Sequence, residues 1–475
     1  MKLIGRIPEK ETFHHCLSSS ESKLIALYGR RRVGKTFLVR EYFKGKIRFE
    51  VAGLHNGNME DQLKHFASTL AKYGWSEAAI HQPLSWKTAF DMLERFIDSM
   101  KDQKKKVIFL DELPWFDTPR AKFLMAFENF WNSYCSKRHD IVCVICGSAA
   151  SWMIKKVLKS KGGLHNRVSE KIRLNQFNLN EVDLFLKAKG IRWSKYDIAQ
   201  LYLTTGGVPY YLDAVRKGES VIQFINRACF SKDGILVDEY QVLFRSLFNN
   251  SERHYSIVEA LETRKKGLTR KELIEKTNLP SGGVLTNYLN ELEESGFVQK
   301  VFLYQKRGGK AHYKLIDNFT LFYLKFMKDQ MKNSDHNWAT ITRSQSWVSW
   351  SGLAFERVCF AHIPQIKRAL KLEAIESSVS SWQAKDSHQG AQIDMVIDRA
   401  DRIVNVCEIK FAKADFLIDK SQAKKLRNQV HLFSQLDANK RKNMFVTCIT
   451  TFGLVENEYS RELVQSEVVL EDLFK

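Results

Sequence analysis

The segment Gly29-Arg30-Arg31-Arg32-Val33-Gly34-Lys35-Thr36 matches the phosphate-loop pattern GxxxxGK[ST] at every defined position. Gly29 and Gly34 let the backbone wrap an anion with its N–H groups turned inward. Lys35 would reach the β- and γ-phosphates, and Arg30 to Arg32 would face the same charge. Thr36 would place its hydroxyl on Mg2+. Downstream, Val107-Ile108-Phe109-Leu110-Asp111-Glu112 is an apolar run ending in two acids. Asp111 suits the metal, mostly through water, and Glu112 suits polarisation of an attacking water. Ser148 follows another apolar run, Ile141 to Cys146, where a polar sensor of the γ-phosphate would stand; a plain turn residue is the other reading. Arg167 lies in the basic stretch Lys155 to Arg173. It could touch the γ-phosphate of its own or a neighbouring subunit, face solvent, or meet a phosphate backbone. ATP and Mg2+ are the cofactors this set requires.

A second constellation lies near the C-terminus. Gly352-Leu353-Ala354-Phe355-Glu356 begins a helix with an acid on it, and Ala391-Gln392-Ile393-Asp394-Met395-Val396-Ile397 alternates like a strand. After the turn Arg399 to Arg402, the run Ile403 to Phe411 returns and contains Glu408-Ile409-Lys410. Residues two apart on a strand share a face, so Glu408 and Lys410 project together and Asp394 meets them across the hairpin. Phosphodiester hydrolysis uses such a group. Glu356, Asp394 and Glu408 would hold Mg2+, which polarises the phosphate and acidifies bound water. Lys410 would orient that water or steady the transition state. An exposed hairpin with a surface ion pair is the bland alternative. Lys424 and Gln429, on the next helix, would touch DNA or form a solvated face.

Between these sites, Thr269 begins a helix with Glu272 as its capping partner. A turn at Leu279 to Gly283, a second helix from about Ser281 to Ser295 and a hairpin-like tail follow, which reads as a winged helix-turn-helix. Its wing would carry Lys306, Arg307 and Lys310 onto phosphates. The helix bears Glu291, Glu293 and Glu294, which suits an interaction or hinge module equally well.

The elements that must position these groups follow from the patterning. Alternating strand-like and helix-like runs fill the first 175 residues, the signature of a parallel sheet with crossover helices. The expected organisation is an α/β protein: a P-loop NTPase αβα core at 1–175, a helical lid at 176–248 and a winged helix at 249–315. A helical connector at 316–345 and a restriction-endonuclease-like α/β domain at 346–475 complete it. Cys143 and Cys146 form a CxxC by count, but they sit in an apolar strand with no second ligand pair, so they read as core thiols.

The chain has 475 residues, 44% of them hydrophobic, which excludes wholesale disorder. Its net charge of +20 points to a polyanionic partner. Acids for Mg2+ inside a basic protein favour nucleic acid, and DNA first, over acidic protein. No apolar run reaches membrane-spanning length and the first residues are charged, so a cytoplasmic protein without membrane attachment is expected.

Leu3-Ile4-Gly5-Arg6, GRRRVGKT, FLDELPW, ICGSAASWM and GGVPYYL together resemble the archaeal-type ATPases of the STAND branch of AAA+ proteins, over residues 1 to about 250. The resemblance implies that Gly5 and Arg6 lie near the adenine and that Pro209 sits in the lid facing the nucleotide. His165-Asn166 stands where that family has tyrosine-glycine before the equivalent of Arg167. The helix-Glu, strand-Asp, strand-ExK series resembles the PD-(D/E)XK nucleases over about residues 350 to 450, with Ile393 in place of the proline that names the first motif. Together these resemblances imply an ATP-regulated, Mg2+-dependent DNA nuclease, in defence or mobile-element conflict, with assembly required if Arg167 acts on a neighbour. The alternative is an ATP-dependent switch that binds DNA or a partner and has a non-catalytic tail.

Overall fold

The computed structural model describes residues 2–102, 104–159, 164, 166–248, 251–264, 266–302, 304, 311–328, 337–384 and 391–475. They fall into two compact units, Met1–Asn175 with Asn290–Gly296, and Gln176–Leu289 with Phe297–Lys475. Among the described residues no helix is long and apolar enough to cross a membrane.

The first unit is built on five strands, β1 (Lys23–Tyr28), β2 (Ile47–Ala52), β3 (Lys106–Asp111), β4 (Ile141–Gly147) and β5 (Glu170–Arg173). All pair in parallel, in the order β2-β3-β4-β1-β5. Strand alternation sends Leu24, Ile108, Leu110, Cys143 and Ile145 to one face, where the helices Trp86–Asp98 and Phe123–Ser133 cover them. Ile25, Leu27, Val107, Phe109 and Val144 go to the other, under the helix Lys35–Tyr42. Every residue of β3 and β4 is buried, as a sheet covered on both faces requires. Cys143 and Cys146 are among them, and all eight cysteines are free and buried. The carboxyl ends of β1, β3 and β4 deliver Gly29, Asp111 with Glu112, and Ser148 to one edge, where open α/β sheets bind ligands.

The second unit opens with helices that include Leu179–Ala188, Lys195–Thr205 and Glu239–Leu247. The described residues of the segment 316–345, expected as a helical connector, pack into its core. Phe319 and Phe322 are fully buried, and the Tyr323 ring stacks on Tyr240 at 4.4 Å. His362 ties this core to the helix Gln345–Ala361. Its Nδ1–H donates to the Val358 carbonyl at 2.7 Å and its Nε2 accepts from the Leu179 N–H at 3.0 Å. Burial pushes the imidazole down to about 4, so it stays neutral.

Three short strands, β6 (Leu268–Thr269), β7 (Val298–Val301) and β8 (His312–Leu315), pair antiparallel in the order β6-β8-β7. Thr269 caps the helix Arg270–Thr277 in a capping box with Glu272. The helix Gly283–Glu294 follows. Lys306, Arg307 and Lys310, expected on a wing, lie outside the described residues.

A second five-stranded sheet contains β9 (Ser377–Gln383), β10 (Gln392–Arg399), β11 (Ile403–Lys410), β12 (Asn443–Thr450) and β13 (Val464–Val469), in the order β13-β12-β11-β10-β9. β9, β10 and β11 pair antiparallel, whereas β11, β12 and β13 pair parallel. The helix Lys420–Ser434 makes the crossover that parallel pairing of β11 and β12 demands.

Candidate functional site

At the first unit's sheet edge, Gly29 has φ +143°, and a Cβ there would sit 2.4 Å from the Leu174 carbonyl oxygen. Gly34, at φ +88°, starts the helix Lys35–Tyr42. These two glycines turn the chain and leave room for an anion. Lys35 Nζ donates to the carbonyls of Gly29 (3.0 Å) and Arg30 (2.9 Å), so the ammonium lies over its own loop. Arg32, within that loop, has a left-handed φ of 70°. Thr36 Oγ1 donates to Asp111 Oδ2 at 2.7 Å, and Asp111 Oδ1 accepts from the Glu112 N–H at 2.9 Å. The hydroxyl and the carboxylate expected to share Mg2+ are therefore side by side, and a pair of hard oxygens fits that ion. Bound there, Mg2+ would offset phosphate charge.

Glu112 is held by a contact that spacing does not reveal. Its carboxylate accepts from the Ser148 hydroxyl at 2.5 Å and from the Ser148 N–H at 3.1 Å. Ser148 thus engages the acid at the end of the neighbouring strand. Gly5 and Arg6 both have left-handed φ, 61° and 56°. Arg6 Nη2 donates to the Val33 carbonyl at 3.1 Å, which ties the N-terminal turn to the phosphate loop. Arg167 is an exposed turn residue. Pro209 opens the short helix Pro209–Asp213 in the second unit.

In the second unit, the β10–β11 register pairs Met395 with Cys407, so Asp394 comes next to Glu408. Asp394 Oδ2 accepts from the Ile409 N–H at 3.1 Å. Glu408 is buried, and its Oε1 accepts from Lys410 Nζ at 2.5 Å and from Lys425 Nζ at 2.8 Å. Sequence reading missed Lys425. It lies one turn into the helix after β11, and only the crossover brings it back over the sheet. Glu356, on the helix Gln345–Ala361, lines one cavity with Asp394 and with Lys314 of β8. Lys314 was also missed, because its strand lies far upstream in sequence.

The electrostatics follow from this placement. Burial, together with Asp394, pushes Glu356 up to about 7, against the pull of Lys314 and Lys410. Burial and Glu408 push Asp394 up to about 6. Burial pushes Glu408 the same way, but Lys410 and Lys425 outweigh it and hold the carboxyl below its ordinary range. Burial lowers the Lys314 ammonium against the attraction of Glu356 and Asp394.

Two expectations need correction. Among the described residues, no group of three or more His, Cys, Asp or Glu side chains is placed to hold a metal ion. Glu356, Asp394 and Glu408 are thus not grouped as the expected three-carboxylate cluster, and two ammonium groups lie on Glu408 Oε1. Asp394 and Glu408 still offer two carboxylates from adjacent strands. That suits Mg2+, which keeps several waters and takes one or two carboxylates. Gln429 is the second correction. It is neither solvated nor free for DNA, since it is buried and its Nε2 donates to the Gln392 carbonyl at 2.5 Å. Lys424 is exposed.

Residues 6–215 match the family of ATPase domains found predominantly in Archaea. The chain carries an ATPase domain there, on a parallel α/β sheet of P-loop type. A Walker-type ATPase of Pyrococcus abyssi shares the fold, with a TM-score of 0.51 and 16% identity over 68% of this chain and 96% of that one. An uncharacterized protein of Methanocaldococcus jannaschii is 23% identical over 397 residues, 83% of each chain. The ORC2 protein of Aeropyrum pernix, solved in ADPNP–ADP complexes, matches 66% of this chain and 90% of its own at 16% identity. Its TM-score is 0.32.

Proposed function

We propose that the protein is an ATP-hydrolysing switch coupled to a Mg2+-dependent DNA nuclease. Residues 249–315 are a winged helix and residues 346–475 a PD-(D/E)XK-like domain in this reading. In the ATPase domain, Lys35 and the loop amides bind the phosphates, Thr36 and Asp111 hold the metal, and Glu112 orients water. Ser148 senses the γ-phosphate, and Arg167 touches it in its own or a neighbouring subunit.

One observation carries the nuclease: Asp394 and Glu408 sit on adjacent antiparallel strands, with Lys410 on Glu408 and with Glu356 lining the same cavity as Asp394. A helix, three antiparallel strands, a crossover helix and a parallel fourth strand support it as a scaffold. Asp394 and Glu408 would hold the ion, which supplies a hydroxide nucleophile and charge stabilisation when bound. Lys410 orients the water or meets the charge that develops on the phosphate. Glu356, with its raised pKa, takes up or returns a proton near neutral pH.

The second reading keeps the ATPase but makes the C-terminal domain a binding module. The double occupation of Glu408 by lysines favours it. The test is incubation of purified protein with linear and circular DNA and Mg2+, with and without ATP, beside Lys410→Ala and Lys35→Ala. Cutting that Lys410→Ala abolishes and Lys35→Ala alters is the expected outcome. No cutting under any metal or nucleotide condition leaves the binding module. Cutting indifferent to Lys35→Ala removes ATP control.

A further inference from the structure

The second unit encloses a cavity of about 470 Å3. Lys314, Lys325, Trp350, Glu356, Arg357 and Asp394 line it. With Arg264 and Lys266, five cationic side chains thus share a cavity with the two carboxylates whose pKa values are raised. Carboxylates serve a metal, but they give Arg357 and Lys325 no evident work. Arg357 Nε and Nη2 are buried and donate to no acceptor among the described residues. A buried donor left unmatched costs about 1–3 kcal/mol, so a site that keeps one gains from a ligand that matches it. The guanidinium fork suits phosphate oxygens. Its carbon lies 5.7 Å from the centre of the Trp350 ring, so an aromatic wall adjoins the cationic one. Glu356 and Asp317 act on Arg357 electrostatically, and neither removes the unmatched donors.

Size then selects the ligand. A cavity of about 470 Å3 is in the range of small-molecule sites, about 300–1,000 Å3. It holds a nucleotide, whereas a duplex, whose major groove alone is about 12 Å wide, does not enter. We propose that this cavity takes a phosphate with its attached base from single-stranded nucleic acid, with Arg357 and Lys314 on the phosphate and the base toward Trp350. It thereby selects single strands or single-stranded flaps over duplex. The inference rests on the nuclease reading for its choice of a polymeric phosphate. Lys314 comes from β8, upstream of the segment that carries the acids, so the substrate site is shared between the two small sheets of this unit.

The test is fluorescence anisotropy with labelled single-stranded DNA, single-stranded RNA and blunt duplex, in EDTA so that cleavage plays no part. Single strands are expected to bind at least about tenfold more tightly than duplex, or about 1.4 kcal/mol. Arg357→Gln weakens single-strand binding about tenfold, the loss expected for a charged hydrogen bond. Lys325 is exposed, so Lys325→Gln keeps the fold and reports on the cavity even if Arg357→Gln unfolds; it weakens binding about threefold. The DNA and RNA arms decide which polymer supplies the phosphate. Equal affinity for duplex, or single-strand binding indifferent to Lys325→Gln and to a folded Arg357→Gln, overturns the inference. Single-strand binding without cleavage in Mg2+ sinks the nuclease reading alone. Duplex cleavage indifferent to Arg357 sinks the cavity alone.

Discussion

Asp394→Asn separates the cost of this site from its use. The structure places Asp394 among buried groups, with Glu408 on the next strand and Glu356 lining the same cavity. Its pKa is raised from 3.8 to about 6. The folded state therefore holds a proton that the unfolded chain has released between those pH values. Stability falls as pH rises from about 4 to about 6 and stays low above that. A shift of about two units, at about 1.4 kcal/mol each, sets an upper bound of about 3 kcal/mol. Relaxation and coupling to Glu356 reduce it to on the order of 2 kcal/mol. An asparagine keeps an oxygen for the Ile409 N–H and carries no charge. In EDTA at pH 8, Asp394→Asn is thus expected to melt higher than the unmutated protein, by roughly 3 °C for a unit of this size. At pH 4 the two should converge. Added Mg2+ should raise the unmutated protein's melting temperature and not the variant's. The assay is differential scanning calorimetry across pH, with and without metal. A variant that melts lower at pH 8, or a difference that does not depend on pH, would refute the placement of Asp394 in a crowded acidic site.

Ser148→Ala removes the hydroxyl that holds Glu112 and should slow ATP hydrolysis about tenfold while nucleotide affinity stays within about threefold; a collapse of affinity by calorimetry would count against it. Gly29→Ala puts a methyl group 2.4 Å from the Leu174 carbonyl at a φ that disfavours side chains, so it should destabilise the ATPase domain by about 2 kcal/mol or more in urea unfolding. Lys410→Ala should abolish DNA cutting, whereas Lys425→Ala, half-exposed, should reduce it about tenfold; equal losses in gel-based cleavage assays would show that the two lysines share one role. Glu356→Gln should remove the limb of the pH–rate profile near pH 7 that belongs to this carboxyl, and an unchanged profile would assign that proton elsewhere.

Much of the ATPase was written in local sequence. A phosphate loop is contiguous, so Gly29 to Thr36 announce both the chemistry and the strand–turn–helix that carries it. The run Val107 to Glu112 likewise encodes a buried strand and the acids at its end. The ExK spacing put Glu408 and Lys410 on one face, because a strand has a period of two. The alternation around Asp394 gave the hairpin partner. Contacts closed by distant segments were not legible. Ser148 meets Glu112 only because β4 lies beside β3 in the sheet order. Lys425 reaches Glu408 only because a crossover helix returns over β11. Lys314 shares a cavity with Glu356 only because two sheets pack in one unit.

Gln429 shows the same limit from the other side, since helical periodicity marks a polar residue as solvated until a strand carbonyl is found against it. The aromatic stretch after residue 316 has the composition of a core, but composition does not say which core. Sequence alone therefore fixed residue types, local periods and the two candidate chemistries, all of which depend on neighbours a few residues apart. Tertiary structure decided which charges neutralise which, and whether three acids form a cage or a paired site beside a cationic cavity. Those outcomes depend on distances through space that no spacing along the chain encodes.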